Sequence, residues 1–262
     1  MTVVPSSIEP RFAAVPRVTA LEVHRVSKTY GDGRSAIAAL DDVSLTVAEG
    51  EFVCLVGASG CGKSTLLNLI AGIYHLDHGS ILIGDRRVGL MFQEPALFPW
   101  LTVQRNVESA MRFRQSPLDK AKVRQLLEIV HLEEFADRRP HELSGGMQQR
   151  AALARALAQD ADILLMDEPF GALDAMTRTV LHDELERIWQ ATGVSIVFVT
   201  HDVREAVRLG DRVILLSSRP GRVVDEVQVP LERPRRLDSA SVNDIAQEVT
   251  DRLRQQVRHH GG

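Results

Sequence analysis

The sequence predicts an α/β fold: a mostly parallel sheet with an antiparallel β edge and an inserted helical subdomain. Three observations carry it. Short apolar strands alternate with helical stretches along most of the chain. Two early segments alternate apolar with polar residues, and between Phe98 and about Arg138 the strand signal gives way to helical periodicity.

Taken in order, Met1–Ala20 is interrupted by Pro5, Pro10 and Pro16 and has no apolar run flanked by Lys or Arg, so it reads as a flexible extension rather than a secretion signal. Leu21–Val26 and Val43–Val47 alternate as antiparallel strands do, on either side of a Gly-rich turn at Tyr30–Ser35. Phe52–Val56 is continuously apolar and ends in glycine, the pattern of a strand buried on both faces. A helix opens at Lys63 and keeps apolar spacing through Leu66–Ile70. Further buried strands are expected at Val88–Phe92, Ile163–Met166, Ile196–Thr200 and Val213–Leu216, with helices at Leu118–Val130, Met147–Ala158 and Thr177–Ala191. The helical insertion then spans about 98–158. Beyond Ser217 the chain is Pro-rich and charged, with a last amphipathic stretch near Val242–Val257 and a frayed end at His259–Gly262. The expected division is an extension (1–20), one main domain (21–230) and a helical tail (231–262).

Composition narrows the function. The 262 residues are 44% hydrophobic and 25% charged, enough for a full core without disulfides, and the net charge of −4 supplies no positive field for a nucleic-acid backbone. Two cysteines, Cys54 and Cys61, indicate a reducing compartment. Nowhere do 18 apolar residues run together, so a membrane association would be peripheral.

The chemistry concentrates in three places. Gly57, Ala58, Ser59, Gly60, Cys61, Gly62, Lys63 and Ser64 satisfy G-x-x-x-x-G-K-[ST] between a buried strand and a helix start, with Thr65 next in the helix. Glycines there let backbone N–H groups converge on an anion, Lys63 reaches the β- and γ-phosphates of a nucleotide, and Ser64 offers a hydroxyl to Mg²⁺. Ile163–Met166 leads into Asp167 and Glu168, acids at a strand's carboxyl end, where α/β sheets bind ligands. Asp167 fits the Mg²⁺-holding acid and Glu168 the base that deprotonates attacking water, and Pro169 should bias Glu168 toward an extended backbone. Ser144, Gly145 and Gly146 open a further helix as a second anion site, with Ser144 at its N-cap.

Leu143–Arg150, Leu-Ser-Gly-Gly-Met-Gln-Gln-Arg, resembles the signature motif of ABC-type ATPases, and the order of cradle, signature, acidic strand and final histidine is similar to that family from about Leu21 to Pro230. The resemblance implies a P-loop NTPase core that binds ATP and Mg²⁺. It implies that Tyr30 stacks on adenine, Gln93 reaches Mg²⁺ and the water, Leu173-Asp174 faces a second copy, and His201 contacts the γ-phosphate. Two chains would pack head to tail, each ATP lying between Lys63 of one and Ser144 of the other. Leu97, Phe98 and Trp100, beside Pro99, resemble the segment that docks the permease in the nitrate, sulfonate and taurine import subgroup, and Arg219-Pro220-Gly221-Arg222 is similar to that subgroup's C-terminal turn. Such an importer also has an extracytoplasmic solute-binding protein, and its ATPase lies on the cytoplasmic membrane face. The rival reading is a soluble single-cassette ABC-type ATPase without a permease, for example in iron–sulfur assembly; the signature argues against a simple P-loop kinase.

Two expectations are narrower. Gly79–Gln93 is shorter than in relatives, so the antiparallel edge should be trimmed there. Cys61, at a helix start beside Lys63, should be the more reactive thiol, and Cys54, mid-strand, inert.

Overall fold

The fold grows from β3 (Phe52–Gly57), all of whose residues are buried. In the computed structural model, which describes residues 18–113, 118–171 and 173–260, β3 lies between two parallel neighbours. The six-stranded sheet has the order β5-β6-β7-β3-β8-β9, with β5 (Val88–Met91), β6 (Ile163–Asp167), β7 (Ser195–Thr200), β8 (Arg212–Leu216) and β9 (Val223–Gln228). All its pairings are parallel except β8 with β9.

Side-chain alternation explains why these strands read as unbroken apolar runs. Phe52, Cys54 and Val56 face one core with Leu164, Met166, Ile196, Phe198, Val213 and Leu215. Val53 and Leu55 face the other with Ile163, Leu165, Val197, Val199 and Ile214. The first core is closed by α2 (Val103–Phe113), α3 (Lys120–Ile129), α4 (Gly145–Leu157), α5 (Ala175–Thr192), α6 (Val203–Leu209) and α7 (Ala240–His260). The second is closed by α1 (Lys63–Ile70) and by a separate antiparallel sheet. That sheet has the order β2-β1-β4, with β1 (Thr19–Tyr30), β2 (Ile37–Ala48) and β4 (His78–Leu82).

Several boundaries differ from expectation. The antiparallel edge is a sheet of its own, and the short Gly79–Gln93 segment still supplies its third strand through β4. Both β4 and β9 are edge strands with half-exposed residues, so neither carries an apolar alternation for the sequence to show. β1 starts at Thr19, inside the expected extension, whose residues 1–17 lie outside the described ones. The helix of the tail continues through His259 and His260, where a frayed end was expected; Gly261 and Gly262 lie outside the described residues.

The tail is tied to the core by two arginines. Arg233 stacks over Trp189 at 4.3 Å and pairs with Glu186 and Asp211, at 3.0 and 2.8 Å. Arg235 donates to the carbonyls of Val207, Val229 and Leu231, which gather where α6 ends and β9 leaves the sheet. At the centre of the first core Phe198 meets Phe52 and Phe170 at ring distances of 5.9 and 5.7 Å. Replacing Phe198 with alanine is expected to destabilise the chain by about 3–5 kcal/mol in urea denaturation, the range for a large buried aromatic whose cavity cannot collapse. A loss under about 1 kcal/mol would contradict this packing.

Candidate nucleotide site

Three parallel strands end side by side. Val56 of β3 is level with Thr200 of β7, and Asp167 of β6 is level with Val199. The segments that leave them therefore start from one edge of the sheet. From β3 comes the cradle, from β6 the acid pair, and from β7 the histidine.

The cradle's shape is set by contacts a side chain would destroy. Gly62 has φ 99°, and a Cβ there would lie 2.6 Å from Leu40 Cδ2 and 2.7 Å from the Ala39 carbonyl. Behind the loop, a Cβ on Gly221 would stand 2.1 Å from the Cys61 carbonyl, and Arg219 Nε donates to the Gly60 carbonyl at 3.2 Å. The Arg219–Arg222 turn thus buttresses the cradle from outside. Gly62 caps α1 without a side-chain acceptor, so the first-turn N–H groups of Lys63, Ser64 and Thr65 are the orphan donors of a helix start. Lys63 is buried and its Nζ donates to the carbonyls of Gly57 at 2.8 Å and Ala58 at 3.0 Å. These are weak anchors for an ammonium compared with phosphate oxygens.

Glu168 departs from the sequence expectation. Its φ is +44°, in the left-handed region rather than extended, despite the following Pro169. Its N–H donates to the Val199 carbonyl at 3.0 Å and its carbonyl accepts from Gly171 at 3.2 Å, so hydrogen bonds to the neighbouring strand and within the turn outweigh the local proline preference. Its Oε2 lies 3.0 Å from Nδ1 of His201, an exposed ring.

Asp167 is 8% exposed, and its Oδ1 is buried without a hydrogen-bond partner. Burial first of all, and then the charge of Glu168, hold its carboxyl above the ordinary aspartate value; a Ser64 hydrogen bond and Lys63 pull the other way. A divalent cation between Asp167 and Ser64 would meet that unpaired oxygen, so the donor set fits Mg²⁺.

The remaining predicted site residues lie on other elements. Tyr30 ends β1 with its ring half-exposed, edge-on to Tyr74 at 6.0 Å. Gln93 follows β5 in an exposed loop, and its carbonyl accepts from Gln149 of α4 at 3.3 Å. Ser144 caps α4, its Oγ accepting from Met147 N–H at 3.3 Å. Ser144 and Gly145 are exposed, and a Cβ on Gly146 would meet Leu173 at 3.3 Å. Asp174 caps α5 through Met176 and Thr177 N–H at 3.1 and 3.0 Å. Among the described residues, this second helix start therefore packs against Leu173, which precedes Asp174.

A family profile described as "ABC transporter" matches residues 40–171. The uncharacterized ABC transporter ATP-binding protein MJ0412 of Methanocaldococcus jannaschii is 42% identical over 246 residues, 90% of this chain and 92% of that one. The chain belongs to the ABC transporter family. An aliphatic sulfonates import ATP-binding protein, SsuB, of Bacillus cereus is 40% identical over 236 residues, 87% of this chain and 94% of that one. Among solved structures, a dimeric post-hydrolysis state of the ATP-binding cassette MJ0796 bound to ADP and Pi aligns with TM-score 0.74 and 35% identity, over 81% of this chain and all of that one.

As an ABC ATPase, the chain binds ATP and couples its hydrolysis to transport. The expected P-loop core stands. The expectation for Cys61 does not: its thiol is fully buried, with Sγ 3.7 Å from Lys63 Nζ, because the loop turns it inward under Gly57 rather than out toward solvent. Cys54 is buried too, and burial pushes its thiol well above the usual range. Tyr74 belongs to none of the sequence motifs and is brought to Tyr30 only by the fold, and the Arg219–Arg222 turn, in sequence a subgroup likeness, has a mechanical role against Gly60 and Cys61.

Asp167 yields a test. A carboxyl raised by folding stabilises the chain only while protonated, a contribution present below the unfolded value of 3.8 and lost as pH rises through the folded one. Asp167→Asn is therefore expected to raise the thermal midpoint of the nucleotide-free chain at pH 7, with the gain shrinking as the pH falls toward the unfolded value. An unchanged or lowered midpoint at neutral pH would contradict the burial argument.

Proposed function

We propose that this chain is the ATP-hydrolysing subunit of an importer that takes up a small anion such as an aliphatic sulfonate, taurine or nitrate. The observation that carries the catalytic part is the Glu168–His201 contact at 3.0 Å beside the buried Asp167 and the lysine-bearing cradle. Similarity to sulfonate import proteins over most of the chain supports the transport class.

In this reading Gly57–Thr65 hold the phosphates and Tyr30 packs on the adenine. Lys63 leaves the Gly57 and Ala58 carbonyls for the β- and γ-phosphate oxygens, a stronger partner for an ammonium. Asp167, Ser64 and Gln93 would hold Mg²⁺, which supplies charge neutralisation at the phosphates when bound. Glu168 takes the proton of the water that attacks the γ-phosphorus, and His201, hydrogen-bonded to Glu168, fixes that carboxylate and faces the γ-phosphate. Ser144, Gly145 and Gly146 complete the site from a second copy, with Asp174 beside the same junction. A helix start that opens to solvent in one chain has its anion partner in the other, and a two-fold axis gives two such sites. ATP then favours the closed pair and hydrolysis releases it.

Partners follow from the exposed side. Trp100 is 67% exposed, while Leu97 and Phe98 are half-buried, with Phe98 at 5.5 Å from the Trp100 ring. This patch docks the integral-membrane permease, on the cytoplasmic face of the membrane, and an extracytoplasmic solute-binding protein delivers the anion. No helix among the described residues is long and apolar enough to cross a membrane, which is consistent with a peripheral place.

Two measurements test this. Glu168→Gln is expected to trap ATP, to elute as a dimer on gel filtration in ATP, and to turn over about 10²-fold more slowly, the range for losing a general base; unchanged turnover would remove Glu168 from that role. Trp100→Ala should leave the thermal midpoint in place while recovery of the tagged chain with cell membranes falls at least about tenfold, as for a central aromatic anchor. Loss of the fold instead would make Trp100 a packing residue.

A further inference from the structure

Behind the Glu168–His201 contact lies a buried polar circuit that the catalytic reading does not use. His182 of α5 is 0% exposed, and its Nε2 lies 2.7 Å from Oε1 of Glu205 in α6, itself buried. The other carboxylate oxygen of Glu205 accepts from Thr200 Oγ1. That hydroxyl in turn accepts from the Asp202 N–H at 3.0 Å. Both neighbours of His201 are thereby fixed by one side chain, and Asp202 is pinned again by the Arg204 N–H on its Oδ1 at 2.9 Å.

The circuit closes on the other side. The Phe170 and His182 rings pack edge-to-face, with centroids 4.9 Å apart at 70°, and Phe170 is two residues from Glu168. Glu168 is bound through its N–H to Val199, next to Thr200, and through its carboxylate to His201. Backbone connections and these contacts together therefore run from Glu168 through Phe170, His182, Glu205, Thr200 and His201 back to Glu168.

Chemistry assigns directions within it. Thr200 Oγ1 donates to one oxygen of Glu205, and we assign the hydrogen of the other bond to His182 Nε2, so that Glu205 accepts at both oxygens. His182 Nδ1 is buried with no hydrogen-bond partner, so the ring makes one polar bond, to Glu205. Three polar side chains in an apolar core cost desolvation that well-packed aliphatic residues would avoid. Their return is orientation: each oxygen of Glu205 accepts one donor, which leaves the Thr200–Asp202 backbone one arrangement.

We infer that His182 is a positioning residue for ATP hydrolysis, holding Glu205 so that Thr200 and Asp202 present His201 to Glu168. This rests on the assignment of Glu168 and His201 to the chemistry.

The test uses the full chain. His182→Leu removes the donor at similar volume, and His182→Gln retains an N–H within reach of Glu205. kcat and KM for Mg-ATP, ATP binding and thermal midpoint are measured for each. For His182→Leu, kcat is expected to fall about tenfold or more while KM and ATP binding stay within about threefold, since misplacing a reacting group slows chemistry without loosening the cradle. His182→Gln should return kcat to within about threefold of the unaltered chain, because the hydrogen bond and not the ring is what positions. A folded His182→Leu chain at full kcat, a loss carried by KM, or a His182→Gln chain as slow as His182→Leu would overturn the inference. Should His182→Leu fail to fold, Thr200→Val reads the same link from its other end: a loss in kcat alone supports it and an unchanged kcat overturns it. Glu168→Gln, run in parallel, separates the two claims. Full turnover there would fault the catalytic assignment, whereas slow turnover there with the His182 series at full rate would fault the circuit alone.

Discussion

The parallel register of β6, β7 and β3 is the constraint on which the rest depends. With Asp167 level with Val199, and Val56 level with Thr200, three strands of one sheet each finish within a residue of the strand beside them. Each then releases a different chemical group at the same edge: an ammonium and a hydroxyl from α1, two carboxylates from β6, and an imidazole after β7. A shift of one residue in any of these pairings would turn that strand's core-facing side chains to the opposite core and carry its terminal group out of the cluster. The apolar faces that fix the register and the polar groups proposed for the chemistry are consecutive in sequence, so the core specifies the site.

Electrostatics gives the cluster a direction. Lys63 and Asp167 are both buried, and each is incompletely served by the chain itself, the lysine by carbonyls and the aspartate with one oxygen unpaired. In the proposed reading a metal-bound polyphosphate would supply anionic oxygens to the first and a cation to the second, so binding would relieve two local costs together. The cradle meanwhile cannot relax far, because Gly62 is pressed on Leu40 and Gly221 on Cys61. The second anion site behaves differently. Ser144 and Asp174 are helix caps whose side chains are already engaged with their own first turns, and beside Ser144 an exposed Gly145 meets nothing within 4 Å, which is the arrangement expected of a surface completed by another molecule.

Much of this was legible in the sequence, for identifiable reasons. A strand buried on both faces leaves an unbroken apolar run, and a phosphate cradle needs glycines at fixed offsets from its lysine, so β3, β6, β7, β8 and Gly57–Ser64 are visible directly. Edge strands β4 and β9 lack that pattern because one side of each meets solvent or the sheet's rim. The left-handed Glu168 was hidden because a backbone bond to Val199, thirty-one positions on, overrides what Pro169 alone would impose. Cys61 was misread for a related reason. Helix start and nearby lysine are local facts, whereas its burial against Gly57 is set by the loop's closure. His182 and Glu205 are 23 residues apart on two helices, and nothing in either local pattern says that their polar ends meet.

The central claim is that a working site takes its cradle from one copy and its signature helix start from the other. Mixing two chains that are each inactive tests it most directly: Lys63→Ala, which loses the cradle's charge, and Ser144→Arg, which blocks the second anion site. In a mixed pair one site would join the intact Lys63 of one chain to the intact Ser144 of the other. Random pairing at equal amounts should then restore about a quarter of the unaltered ATPase rate, since half the pairs are mixed and each holds one good site. No activity above that of the separate variants would contradict a shared site and place both groups in the service of a single chain.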